Sequence, residues 1–218
     1  MKFEHTEVFN FYGAIRGMRN PKNSWAKSDS YYQESYIKVP NNYFIGENDM
    51  KLARQLIRGG SEHRKFLRQI MVCVDITAPL YWWKEFDTYK VGTTANSTST
   101  MHKIVSKPIT LDCFEIGDYE PELYKAEVAR LMEGTFIPFL DHLREMFNKT
   151  GDKRYWKELI RWLPEGWLQT RTVTMNYENI LSIVHQRKNH KLVEWKDSFI
   201  NWAKSLPYAE ELIFIDKE

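Results

Sequence analysis

The chain has 218 residues, enough for one substantial domain or two small ones, and its 43% hydrophobic and 28% charged content is that of an ordinary globular protein. Its 31 basic and 29 acidic residues leave a net charge of +2, too little for a bulk field that would hold a nucleic-acid backbone. The N-terminal MKFEHTEVFNFYG has no long apolar stretch, and no window approaches the roughly 18 uninterrupted apolar residues of a membrane span. Neither a signal peptide nor a membrane partner is therefore expected. Cys73 and Cys113 stand 40 positions apart without a CxxC or a paired-histidine spacing, which reads as a reduced, cytoplasmic protein without a structural zinc.

In chain order, residues 6–11 read as a short strand, followed by a turn-like GMRNPKNSWAKSDS. Asn48 or Asp49 can cap a helix with Leu52, Ala53, Leu56 and Ile57 on one face, stopped at Gly59-Gly60. Ile70, Val72, Val74 and Ile76 alternate with polar or smaller residues, the pattern of a strand with one apolar face. Thr77 then offers an N-cap and Pro79 an early helical position for Leu80, Trp83 and Phe86.

The next segment is unusual. Within 93–100, seven of eight residues are Thr, Ser or Asn and the eighth is Ala95, directly behind an aromatic run containing Trp82-Trp83. Hydroxyls and amides beside aromatics suit a ligand with a flat ring and hydrogen-bonding oxygens, such as a nucleotide. A Ser/Thr-rich surface turn has the same composition, and a tryptophan pair is equally a core feature.

Residues 121–148 read as a long amphipathic helix with Met132, Phe136, Phe139, Leu140, Leu143 and Phe147 on one stripe and a kink at Pro138. Residues 155–163 give a shorter helix that stops at Pro164. After the β-branched TRTVTMN, Asn176 caps a helix through Arg187 with Ile180, Ile183 and Val184 inward. Leu192, Trp195, Phe199 and Trp202 mark a last helix, closed by Leu206-Pro207. The expected fold is α+β: a mainly helical single domain over 1–218 with a small antiparallel or mixed sheet.

No P-loop, dinucleotide-binding, zincin or nucleophile-elbow motif occurs, and His185 and His190, five apart, point to different sides of a helix. Two sites remain. Glu62-His63 follows a helix stop, where a histidine is either solvated or functional. Arg187 emerges at the end of an apolar helical stripe, where its guanidinium either answers the helix dipole or grips phosphate or a pyrimidine edge.

Taken in order, these pieces resemble the flavin-dependent thymidylate synthases, the ThyX family. That family has a Glu-His element before a strand, then an Ala-Pro segment leading into R-H-R-x-x-S-x-N-x-x-S-x-R, and later an Asn-led helix ending in Leu-Arg. Here Glu62-His63 precedes the strand 70–76, Ala78-Pro79 leads into Thr88-Tyr89-Lys90, Thr93 stands at the motif serine, and 176–187 is similar to the later helix, with 192–195 like the segment after it. Thr88, Tyr89, Lys90 and Thr100 replace Arg, His, Arg and the closing Arg, and Ala95 falls at the motif asparagine beside Asn96. The loss of guanidinium weakens anion binding at this loop.

The resemblance implies FAD as cofactor, with His63, Tyr89, Lys90, Thr93 and Asn96 near it, and Ser97, Ser99 and Arg187 on a pyrimidine deoxynucleotide of the dUMP type. It implies NADPH and methylenetetrahydrofolate as co-substrates and a homotetramer in the cytoplasm, and it assigns no catalytic residue here. The loss of the basic triplet favours the alternative, a non-catalytic nucleotide-binding or assembly protein on the same scaffold.

Overall fold

The computed structural model describes residues 1–33, 42–116 and 127–215. Strand β1 (Lys2–Phe9) starts and ends earlier than expected, and it ends at Phe9 because Asn10 turns left-handed at φ 72° to cap a helix, α1 (Phe11–Met18). Phe11, Ala14, Ile15 and Met18 form its buried stripe, which Gly13 and Gly17 disguise in the sequence as a turn. Two-residue strands β2 (Tyr31–Tyr32) and β3 (Tyr43–Phe44) pair antiparallel.

Helix α2 (Glu47–Arg58) begins one residue before Asn48, with Gly46 as its N-cap, correcting the expected Asn48 or Asp49. The capping acceptor comes from outside the helix: Asp29 takes the N–H groups of Asn48 at 2.9 Å and Asp49 at 3.1 Å. A Cβ at Gly46 would come within 2.2 Å of the Asp29 Cγ, so only glycine leaves room for this arrangement. At the other end Gly60, φ 98°, closes the helix as expected.

Strand β4 (Met71–Pro79) buries Val72, Val74, Ile76 and Ala78 on one face, as the alternation requires. Thr77 is not a helix cap. A proline keeps the residue before it out of the helical region, so the strand continues through Ala78 and α3 (Leu80–Phe86) starts only after Pro79. The Thr77 hydroxyl instead bonds that of Thr170 at 2.7 Å on another strand.

The polar run 93–100 divides into an exposed strand, β5 (Thr94–Ser97), and a short helix, α4 (Thr100–Lys103). Further on come α5 (Glu127–Leu131), a π-helical turn (Met132–Phe136), α6 (Ile137–Thr150) and α7 (Lys153–Arg161). Residues 121–126 of the expected long helix lie outside the described residues. Pro138 sits in the first turn of α6, immediately after the π turn, where its missing N–H is least disruptive. On the expected stripe Leu140 and Leu143 are buried and Phe139 is exposed.

Strand β6 (Leu168–Asn176) runs into α8 (Tyr177–Arg187). Asn176 and Asn179 cap each other's backbone N–H at 3.0 and 3.2 Å, a complete capping box. Asn176→Ala should lower stability by about 0.5–2 kcal/mol, measured by chemical denaturation. A π-helical segment (Glu194–Phe199), α9 (Ile200–Lys204) and α10 (Ala209–Leu212) complete the described chain.

The principal sheet has the order β1-β4-β6-β5. Contacts of Ile70 with Tyr177, Asp75 with Thr172 and Thr77 with Thr170 fix an antiparallel register between β4 and β6. The residues fall into two compact units. One comprises 1–2, 76–88 and 96–171, with a core of Ile104, Ile109, Phe114, Leu140, Leu143 and Leu159, and with Trp82, Trp83 and Phe86 buried. The other comprises 3–75, 89–95 and 172–218, whose core includes Ile15, Leu67, Val72, Tyr177 and Trp195. The architecture is α+β, mainly helical with a small antiparallel sheet. No helix among the described residues is long and apolar enough to cross a membrane.

Candidate nucleotide site

Arg187 ends α8, and the apolar stripe of Ile180, Ile183 and Val184 buries the helix so that its last turn comes out half-buried. Its Nε donates to the Tyr89 hydroxyl at 2.8 Å, and that hydroxyl donates to Gln186 Oε1 at 3.1 Å. The guanidinium lies 5.0 Å from the Trp195 ring centroid and 5.6 Å from that of Tyr89. Tyr89 and Trp195 meet edge-on with centroids 6.2 Å apart. A cation held over two aromatic faces is fixed in direction as well as in charge.

The loop that carries Tyr89 is tied to the start of the same helix. Asn179 Nδ2 donates to the Val91 carbonyl at 2.7 Å, and Gly92 turns the chain at φ 79°. A Cβ there would stand 3.0 Å from Asn176 Nδ2 and 3.1 Å from Asn179 Oδ1, so both the angle and the space call for glycine. Lys90 is exposed, and the Thr93 hydroxyl donates to the Tyr89 carbonyl at 2.7 Å.

Thr88, at the first motif arginine, closes α3 by donating its hydroxyl to the Glu85 carbonyl at 2.7 Å. Asn96 and Ser97 are exposed on β5, and Ser99 caps α4 by accepting from His102 N at 3.1 Å. His63 is exposed in the turn after α2 and lines a pocket of ≈ 390 Å³ with Glu62, Lys22, Lys65 and Phe66. No group of three or more metal-ligating side chains occurs among the described residues.

Three members of the Arg187 cluster escape a reading of the sequence as a string of motifs. Trp195 has the spacing of a core residue, Gln186 has no pattern at all, and Asn179 is visible only as the third position after an Asn cap. Trp195 also lies in a π-helical segment, an irregularity frequent at functional sites.

No family model matches the chain, and no curated protein matches it in sequence. Solved structures do. The flavin-dependent thymidylate synthase ThyX from Helicobacter pylori complexed with FAD and dUMP superposes with a TM-score of 0.67 at 15% identity, covering 98% of each chain. A second Helicobacter pylori ThyX structure with FAD and dUMP gives a TM-score of 0.67 at 14% identity over 98% of this chain and 97% of that one. Likeness at such low identity is a likeness of fold, and the α+β fold of this chain is that of the ThyX thymidylate synthases.

Proposed function

We propose that the chain is a ThyX-like protein, one domain over 1–218, that holds a pyrimidine deoxynucleotide at Arg187 and methylates it as a flavin-dependent thymidylate synthase does. The observation that carries this reading is the guanidinium of Arg187, held by the Tyr89 hydroxyl and set against Trp195 within a ThyX-like fold. Arg187 gives charge-assisted bonds to the phosphate or to a pyrimidine carbonyl. Tyr89 sets its direction.

FAD, when bound, supplies the hydride, with NADPH as its reductant and methylenetetrahydrofolate as carbon donor. Tyr89 would present FAD a half-buried ring, exposed Lys90 one cation for phosphate, and the turn at Gly92-Thr93 its backbone. His63 stays the proposed flavin-side residue from its own pocket, and a cytoplasmic homotetramer belongs to the same reading.

A second reading, a non-catalytic nucleotide-binding or assembly protein, is favoured by one specific observation. The hydroxyls of Thr88, Thr93 and Ser99 all serve the chain's own backbone, which leaves Lys90 as the charge of the altered signature.

Titration calorimetry with deoxyuridylate and with FAD tests both readings. Wild type should bind both ligands, and Arg187→Ala should weaken the nucleotide by about 1.5–3 kcal/mol, the scale of a hydrogen bond to a charged group. Binding without conversion of deoxyuridylate, given flavin reductant and folate, selects the non-catalytic reading. If neither ligand binds wild type, both fall.

A further inference from the structure

Arg19, the C-cap of α1, is buried away from the Arg187 cluster, with 5% of its side chain exposed. Its Nε donates to Asp49 Oδ1 at 2.6 Å and its Nη1 reaches the Ser24 carbonyl at 3.4 Å. Nη2 is buried and has no hydrogen-bond partner among the described residues. Its ion-pair partner has nothing left to give. Asp49 Oδ2 accepts from the Ser28 hydroxyl at 2.7 Å, the Ser30 hydroxyl at 2.6 Å and the backbone N–H groups of Asp29 and Ser30 at 3.2 Å. The carboxylate is saturated with donors while the guanidinium is short of an acceptor.

Arg19 is also part of the wall of a pocket of ≈ 440 Å³, together with Lys27, Asn48, Lys51, Leu52 and Gln55. Asn48, Lys51, Leu52 and Gln55 share one face of α2 by their spacing of three and four. Lys27 and Lys51 are exposed, so their ammonium groups are free to swing over a ligand. The wall thus carries three cations and two amides and no carboxylate. The nearby Asp29 is occupied by the N–H groups of Asn48 and Asp49. Tyr89, Arg187 and Trp195 take no part in this pocket.

We propose that this pocket binds a compact polyanion of phosphate chemistry, either free phosphate or the phosphate of an ester. The two lysines supply mobile charge, the amides supply neutral donors, and Arg19 supplies a fixed cation whose remaining N–H lacks an acceptor. Lysine suits this duty as a compact point charge, and the buried guanidinium orients the anion.

Calorimetric titration with inorganic pyrophosphate tests the proposal on the full chain. Wild type should bind, and the Lys27→Ala/Lys51→Ala double variant should bind at least tenfold more weakly with its ligand-free melting temperature unchanged, since both side chains are exposed. The affinity of wild type should fall as salt rises, because exposed charges are screened over about 8 Å at physiological ionic strength. A nucleoside 5′-diphosphate separates the sources: equal affinity assigns the pocket to free phosphate, and tighter binding that the double variant loses assigns it to an ester. Absence of pyrophosphate binding by wild type, or equal binding by the double variant, overturns the proposal. So does binding lost in Arg187→Ala but kept in the lysine variant, which would place the anion at the nucleotide site instead.

Discussion

Asp49→Ala should destabilise the protein by about 3–5 kcal/mol, because it leaves the buried guanidinium of Arg19 without its counter-charge. Asp49 is fully buried, and it is the hub that ties Ser28, Ser30 and Arg19 to α2. Burial pushes its carboxyl upward, but the hydrogen bonds from Ser28, Ser30 and Arg19 outweigh that, so it titrates below its ordinary value of 3.8. A group lowered in this way contributes stability that is present above pH 3.8 and is lost as pH falls through the folded value. Urea denaturation from neutral to acidic pH should show wild type losing stability below that point and an Asp49→Asn variant losing less. A full-strength transition for Asp49→Ala would show that Arg19 finds another partner.

Trp195→Ala is the second large effect. Its ring is fully buried against Phe199 at 5.4 Å, meets Tyr89 edge-on and carries the Arg187 guanidinium over its face. Loss of such a ring typically costs about 3–5 kcal/mol, part of it from the cavity left behind. The same change should loosen Arg187, so deoxyuridylate affinity should fall even under conditions where the variant is fully folded. Trp195→Phe, which keeps an aromatic face, should recover much of both losses. A variant with wild-type nucleotide affinity and low stability would return Trp195 to a purely structural role.

Where hydrophobic periodicity is strong, the sequence was sufficient. The alternation from Ile70 to Ile76 and the stripe of Ile180, Ile183 and Val184 behind an asparagine cap are both present as read. Local chemistry misleads where the acceptor comes from outside the element. Asp29 caps a helix that Asn48 seemed able to cap for itself, and Asp49, polar and near a turn, is one of the most buried residues. Glycine concealed α1, because Gly13 and Gly17 lower helix propensity while its apolar spacing is still that of a helix. At the candidate site Arg187 and Tyr89 were legible as separate residues. Their contact joins positions 98 apart, and no pattern along the chain encodes it. The hydroxyl-rich run was legible as a polar surface segment, but not its division into an exposed strand and a short capped helix.

The loop with Tyr89 and the helix with Arg187 are fastened at both ends of the helix, through Asn179 to Val91 near its start and through Arg187 to Tyr89 at its finish. Two such fastenings remove the loop's independent freedom, since it cannot swing outward without breaking one or the other. The pair behaves as a single mechanical part. The surface beside Arg187 is therefore a preset wall rather than a flap.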